Sequence, residues 1–200
     1  MPTPELQKEI EAYAAKYGID PKIAVPWIMK ESSGNPRATS YKTDDNGNYI
    51  RDKSGQKIPL AKGLGQLTDL IQKQYKVTDP YDVKQNLEAS FHYLSDLKKQ
   101  YKGNEEEAFT AYNGGPKAVE YFRSKGGVFY DPSMSRKTWA NQTGDYVKSI
   151  MAQGGRDVTH IPTGKRDQII AQRKGGQFRD TAGGSTIAEV PKKKVPLTLD

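Results

Sequence analysis

The sequence predicts a mainly α fold. Three observations carry the prediction: apolar residues recur at spacings of three and four, helix start and stop signals bracket those stretches, and one polar segment, residues 41–60, instead holds turn dipeptides of β-hairpin type. At 200 residues the chain suits one domain plus an appendage.

Leu6, Ile10, Tyr13, Ala14 and Tyr17 form the first helical stripe, and Gly18 suits its C-terminal cap. Asp20 and Pro21 can start a second helix covering Ile23 to Glu31, with Gly34 and Asn35-Pro36 marking its end and Pro26 as an internal kink risk. In 41–60, Asn46-Gly47 and Ser54-Gly55 flank Tyr49-Ile50-Arg51, which predicts a polar β-hairpin or double hairpin. Helices follow over Leu67–Tyr75 and Pro80–Tyr101, the latter on a stripe of Val83, Leu87, Phe91, Leu94, Leu97 and Tyr101. Asn104 before Glu105-Glu106-Glu107 reads as a cap with acids in the first turn, leading a helix to about Tyr112. Gly114-Gly115 stops it, Pro116 starts another to about Ser124, and a last helix is expected over about Thr143–Ala152.

Beyond Gly154-Gly155 the apolar period fades into Gly, Lys, Thr and Pro. Such a stretch buries too little apolar surface to offset its ordering entropy. The expected organisation is a helical domain over 1–155, with 41–60 inserted, and a flexible basic tail or linker over 156–200. The net charge is +7, of which +4 falls in residues 156–200. The tail has only Phe178 among aromatics, so base stacking is poorly supported and nucleic acid is disfavoured as a partner. No cysteine is present, and His92 and His160 are too few for a metal motif, so neither a metal nor a cofactor is expected. No apolar run is long enough to span a membrane, and the N-terminus lacks the basic-then-apolar order of a secretory signal.

Glu31 is the residue most suited to chemistry. It ends an otherwise apolar helix, four residues after Trp27 on the same face. Partial burial and the negative end of the helix dipole both disfavour its ionised form, which raises its pKa toward the range of a general acid near neutrality. Taken alone, it would be an ordinary surface Glu near a helix end. Three further stretches accompany it: Ala61-Lys62-Gly63-Leu64-Gly65-Gln66-Leu67, Ala111-Tyr112-Asn113-Gly114-Gly115-Pro116 and Gln142-Thr143-Gly144-Asp145-Tyr146-Val147. Each by itself is a common structural turn or helix segment.

Together with Glu31-Ser32 and Asn35-Pro36-Arg37-Ala38, these stretches resemble the soluble lytic transglycosylase family over roughly residues 6–152. Its pattern runs Glu-Ser, Asn-Pro-x-Ala, Gly-Leu-Met-Gln, Ala-Tyr-Asn-Ala-Gly and Glu-Thr-x-x-Tyr-Val. Here Gly65 stands for Met, Gly114 for Ala and Gln142 for Glu; the two glycines suggest a widened groove, and Gln142 removes an acid from the last helix. The resemblance implies a lysozyme-like helical domain that binds peptidoglycan glycan strands. It implies Glu31 as catalytic acid and base, Ser32 as its orienting neighbour, Gln66 and Asn113 as sugar-binding amides, Tyr146 as a support for the Glu31 carboxyl, and Tyr112 as a cleft wall. The expected product carries a 1,6-anhydro sugar.

Two alternatives remain open at this stage. On the same fold, Asp44, Asp45 or Asp52 of the insertion would supply a second carboxylate for a muramidase. In a different class, the chain would be a non-catalytic adaptor using its basic tail. An enzyme for a cell-wall polymer that lacks a signal sequence suits a phage particle protein opening the wall during genome entry, or a secretion-machine component, with the tail docking to virion or machine proteins.

Overall fold

The computed structural model describes residues 1–44, 46–128 and 138–156. Asp45 and residues 157–200, which include nearly all of the expected tail, lie outside them. Among the described residues the chain forms seven helices and one small sheet: α1 (Pro4–Tyr17), α2 (Pro21–Ser32), β1 (Thr39–Tyr41), β2 (Pro59–Lys62), β3 (Leu67–Thr68), α3 (Asp69–Gln74), α4 (Val83–Gln100), α5 (Glu105–Gly114), α6 (Pro116–Ser124) and α7 (Trp139–Gln153). The mainly α expectation holds.

Local chemistry sets the helix limits. Thr3 accepts from Leu6 N at 3.3 Å and Gly18 closes α1 in the left-handed region at φ 65°. Asp20 accepts from Lys22 N at 3.0 Å to start α2, which continues through Pro26. The left-handed residue ending α2 is Ser33 (φ 55°), one position before the expected Gly34, and its N–H bonds Met29 O at 2.8 Å.

Four boundaries differ from expectation. Leu67 and Thr68 pair with Lys62 and Ala61 as β3, so α3 begins only at Asp69. Asp82 caps α4 by accepting from Gln85 N at 2.8 Å, which moves its start from Pro80 to Val83. Helix α5 runs on to Gly114, carrying Asn113 within its last turn. Thr138 caps α7, so this helix starts a full turn before Thr143.

Helix α4 is central, packed against α1 and α5, while α2 lies on α1 and α7, and α5 on α6 and α7. Ile10, Ile23, Trp27, Leu87, Phe91, Leu94, Phe109, Val147 and Ile150 form the heart of the core. Trp27 is fully buried and meets Phe91, Phe109 and Tyr112 edge-on, with centroids 5.0, 5.8 and 5.1 Å away. Truncating such a ring to Ala typically costs about 3–5 kcal/mol. Trp27 therefore fixes α2 on its neighbours one turn before Glu31.

The sheet has the order β1-β2-β3, all antiparallel. Between β1 and β2 the insertion forms two small hairpins, bridged at Thr43–Tyr49 and Arg51–Lys57. They are near copies at a period of eight residues. Asp44 N bonds Asn48 O and Gly47 N bonds Asp44 O, as Asp52 N bonds Gln56 O and Gly55 N bonds Asp52 O. Lys42, Ile50 and Ile58 then bond one another in a closed ring of three backbone hydrogen bonds, of 2.9, 2.9 and 3.0 Å, which joins the hairpins at their base. The double hairpin is thus the outcome of one turn design used twice.

Arg156, assigned from sequence to the tail, is tied to the helical domain. Its backbone N–H bonds Met151 O at 3.1 Å, and its guanidinium pairs with Asp20 at 3.1 Å and with Glu105.

Candidate active site

The end of α2 delivers Glu31 to the place where α7 crosses it. The Tyr146 hydroxyl, 5% exposed as a residue, donates to Glu31 Oε1. Burial pushes the Glu31 carboxyl up to about 7, against the opposing pull of the Tyr146 hydroxyl and the Trp27 indole, both of which favour the ionised form. Trp27 Nε1 acts on this carboxyl without a hydrogen bond of regular geometry. Its part differs from the sequence expectation in one respect: the ring helps bury the site, while its N–H favours charge. Burial, together with the neighbouring Glu31 carboxylate, holds the Tyr146 phenol well above its usual range, so it stays protonated and available as a donor. Beside this contact Lys30 pairs with Asp145 at 3.7 Å. An ionic link between α2 and α7 therefore persists although residue 142 is Gln, and as an exposed pair it contributes little.

Tyr112 joins this site to the 63–66 turn between β2 and β3, whose organiser is a residue the sequence did not single out. Asn86 on α4 is 1% exposed. Its Oδ1 accepts from Gly65 N at 2.7 Å, and its Nδ2 donates to Lys62 O at 3.1 Å and Pro80 O at 2.8 Å. Gly63 sits so close to this amide that a Cβ would lie 2.1 Å from both Asn86 Nδ2 and Pro80 O. In sequence, Asn86 was one polar residue beside an apolar stripe.

Gly65 does not widen the groove. A Cβ there would stand 2.0 Å from Ser90 Oγ, 2.7 Å from Ser90 Cβ and 3.1 Å from the Tyr112 hydroxyl, so the space is filled by these neighbours. Tyr112 also donates to Gly65 O at 2.7 Å, pinning the loop to α5. Gly114 is likewise packed, since a Cβ on it would meet Ala118 Cβ at 2.6 Å and Thr143 Oγ1 at 3.1 Å. Both glycines permit close approach of helices and loop.

The site residues fall in three groups. Glu31, Tyr146, Trp27 and Tyr112 are brought together, and burial, followed by the nearby Glu31 charge, pushes the Tyr112 phenol well above its usual range. Asn113 is exposed at the end of α5, where its Oδ1 accepts from Thr143 Oγ1 of α7 at 2.9 Å, so its amide NH2 is the group left to donate. Gln66 and Ser32 are engaged locally. Gln66, at a left-handed φ of 51°, spends its NH2 on Gly63 O at 2.9 Å and Ala38 O at 3.3 Å. Ser32 Oγ donates to Ile28 O at 3.2 Å, one turn back in its own helix, rather than to Glu31.

Asp44 and Asp52 are occupied as turn formers. Asp44 Oδ1 accepts from Asn46 N and Asn48 N at 3.0 and 2.8 Å, and Asp52 Oδ1 from Ser54 N and Gln56 N at 2.8 and 3.0 Å. The Asn48 N–H above all holds the Asp44 carboxyl below its usual range, and the Ser54 hydroxyl, followed by the Gln56 N–H, does the same for Asp52. Among the described residues no group of three His, Cys, Asp or Glu is placed to hold a metal ion, and no helix is long and apolar enough to cross a membrane. The site is thus one carboxyl poised near neutrality beside a phenol donor, a loop locked by Asn86, and an exposed amide on α5.

The family model described as Transglycosylase SLT domain matches residues 8–127. Glu31, Ser32, Gln66, Tyr112 and Asn113 fall inside that stretch and Tyr146 beyond it. A curated protein of Enterobacteria phage PRD1, described as a transglycosylase, is 33% identical over 106 residues, covering 53% of this chain and 33% of that protein. The match therefore spans about a third of that relative's length. Among solved structures, an inactive Glu-to-Gln mutant of the lytic transglycosylase Slt from Pseudomonas aeruginosa has 18% identity and a TM-score of 0.49, covering 74% of this chain and 23% of that one. The 70 kDa soluble lytic transglycosylase of Escherichia coli has 20% identity and a TM-score of 0.48, with the same coverage.

Proposed function

The chain belongs to the transglycosylase SLT domain family, and on that premise we propose that it cleaves the β-1,4 bond between N-acetylmuramic acid and N-acetylglucosamine in peptidoglycan, with Glu31 as its one catalytic acid and base. The observation that carries the proposal is the Glu31 carboxyl itself: raised to about 7 by burial and supported by Tyr146, it is populated in both protonation states near neutral pH.

In the first step protonated Glu31 donates to the glycosidic oxygen as the C1–O bond breaks. The substrate's N-acetyl oxygen stabilises the positive charge developing at C1. The Glu31 carboxylate then takes the proton of the C6 hydroxyl while that oxygen bonds C1, closing a 1,6-anhydro ring and restoring the acid. Every proton is returned, and no water or second carboxylate is consumed. Tyr146 orients the carboxyl through both steps, and the NH2 of the exposed Asn113 supplies a donor for sugar oxygens. The commitment of Asp44 and Asp52 to their own turns supports this route over a two-carboxylate hydrolysis.

The match to a phage protein supports placing the activity in a virion that opens the cell wall locally during genome entry, with virion proteins as partners. Mass spectrometry of peptidoglycan digested by the purified chain tests the chemistry. The expected muropeptides end in anhydro sugars, lighter by one water than hydrolysed ends; hydrolysed ends alone would establish a muramidase, and intact wall would remove the enzymatic role.

A further inference from the structure

Tryptophan occurs twice in the chain, at opposite extremes of exposure. Trp27 is 0% exposed in the core, whereas Trp139, the first residue of α7, is 52% exposed. An open indole at the start of a helix needs a reason, and its surroundings offer one. Tyr121 of α6 meets it edge-on, with centroids 4.9 Å apart and planes at 66°. Tyr121 is in turn braced by the buried Phe122, at 5.2 Å and 77°. The indole is therefore held on a rigid aromatic support rather than left on a loop.

Its position along α7 ties it to the site. Trp139, Thr143 and Tyr146 follow at spacings of four and three, so they share one helix face. On that face Tyr146 reaches Glu31 and Thr143 reaches Asn113. One turn of helix, about 5.4 Å, separates successive stations, comparable with the length of one pyranose in a β-1,4 strand. Trp139 thus sits one turn of α7 before Thr143, the partner of Asn113, and two turns before Tyr146, the partner of Glu31.

We propose that Trp139, supported by Tyr121, is a stacking platform for a pyranose ring of the bound glycan, about 10 Å along α7 from Tyr146. Along α7 the platform lies on the far side of Thr143, the partner of Asn113, from Tyr146. It rests on the glycan-cleaving role assigned above. The apolar face of a pyranose matches the flat face of an indole, and a ring held two stations from the acid would fix the register in which the strand crosses Glu31. It would favour fragments long enough to reach both Glu31 and Trp139.

The two tryptophans make a direct test practical, because iodide reaches the exposed indole and not the sealed one. In the full chain carrying Glu31→Gln, iodide quenching of fluorescence is measured with soluble N-acetylglucosamine–N-acetylmuramic acid oligosaccharides of increasing length. Long fragments are expected to shield Trp139 and short ones to shield it less. In the same background Trp139→Ala should weaken binding of a long fragment about tenfold, the scale of one stacked ring, and more than it weakens a disaccharide. Trp139→Phe should restore most of the loss. If bound glycan leaves quenching unchanged, or if the Ala variant loses the same factor at every length, the platform is wrong while the glycan role stands. If no fragment binds and the unsubstituted chain leaves peptidoglycan intact, the glycan role falls and the platform with it.

Discussion

The Tyr146 hydroxyl donates to Glu31 Oε1 across 115 positions of sequence, joining the end of α2 to the middle of α7. Two influences on one carboxyl meet in that contact. The phenol lowers the Glu31 pKa, the burial that the contact creates raises it, and burial wins. A donor held beside a buried acid keeps the carboxyl oriented without committing it to the ionised state.

With Glu31 at about 7, the protonated form needed for the first step is half populated there and declines above it. Turnover on soluble glycan fragments should therefore fall on the alkaline side with a midpoint near pH 7. Glu31→Gln keeps size and hydrogen bonding but transfers no proton, so a loss of about two orders of magnitude or more is expected. Retention of most of the turnover would exclude Glu31 as the acid.

The same carboxyl should make stability depend on pH. Below its ordinary value of 4.5 Glu31 is protonated whether folded or unfolded, and burial costs nothing extra. Between 4.5 and about 7 the unfolded chain releases a proton that the folded chain keeps, so stability falls as pH rises, and the full cost is present above 7. That cost is on the order of 3 kcal/mol. Glu31→Gln never bears it. Thermal melts should show the variant several degrees more stable than the unsubstituted chain at pH 8, with the gap closing toward pH 4. A gap independent of pH would contradict the raised pKa.

Tyr146→Phe removes a donor that favours the carboxylate. The Glu31 pKa should rise further, moving the alkaline limb of the pH–rate profile to higher pH, while kcat falls because the carboxyl loses its orientation. A reduced rate with an unmoved limb would mean that the hydroxyl serves packing alone.

Part of the candidate site was legible in the sequence because some of its residues sit at helix ends, where caps, prolines and glycines leave a local trace. Glu31 after an apolar stripe and Asn113 before Gly114-Gly115 are of that kind. What was missed depends on tertiary neighbours. Asn86 resembles any polar residue on a helix until Lys62, Pro80 and Gly65 converge on its amide. The packed role of Gly65 exists only because Ser90 and Tyr112 occupy the space in front of it. A strand of two residues such as β3 has no periodicity to detect, and the first turn of α7 hid its start because Thr138 is one polar residue among several before Trp139.

The insertion offers the sharpest separation between one-carboxylate and two-carboxylate chemistry. Asp44 and Asp52 occupy equivalent positions in its two hairpins, and each accepts from backbone N–H groups two and four residues ahead. Asp52 also accepts from Ser54 Oγ at 2.7 Å, and Asp44 Oδ2 from Asn48 Nδ2 at 3.3 Å. A carboxylate serving as base or nucleophile in hydrolysis must turn its lone pairs to water or to C1, whereas Oδ1 of each of these is aimed into its own turn. Asn keeps an oxygen in the Oδ1 position, so Asp44→Asn and Asp52→Asn should preserve the hairpins and leave most of the turnover on peptidoglycan. Asp45, outside the described residues, belongs in the same series as Asp45→Asn. Should any one of the three abolish turnover as completely as Glu31→Gln, with hydrolysed rather than anhydro ends from the unsubstituted chain, a second catalytic carboxylate exists and the insertion is part of the reacting site.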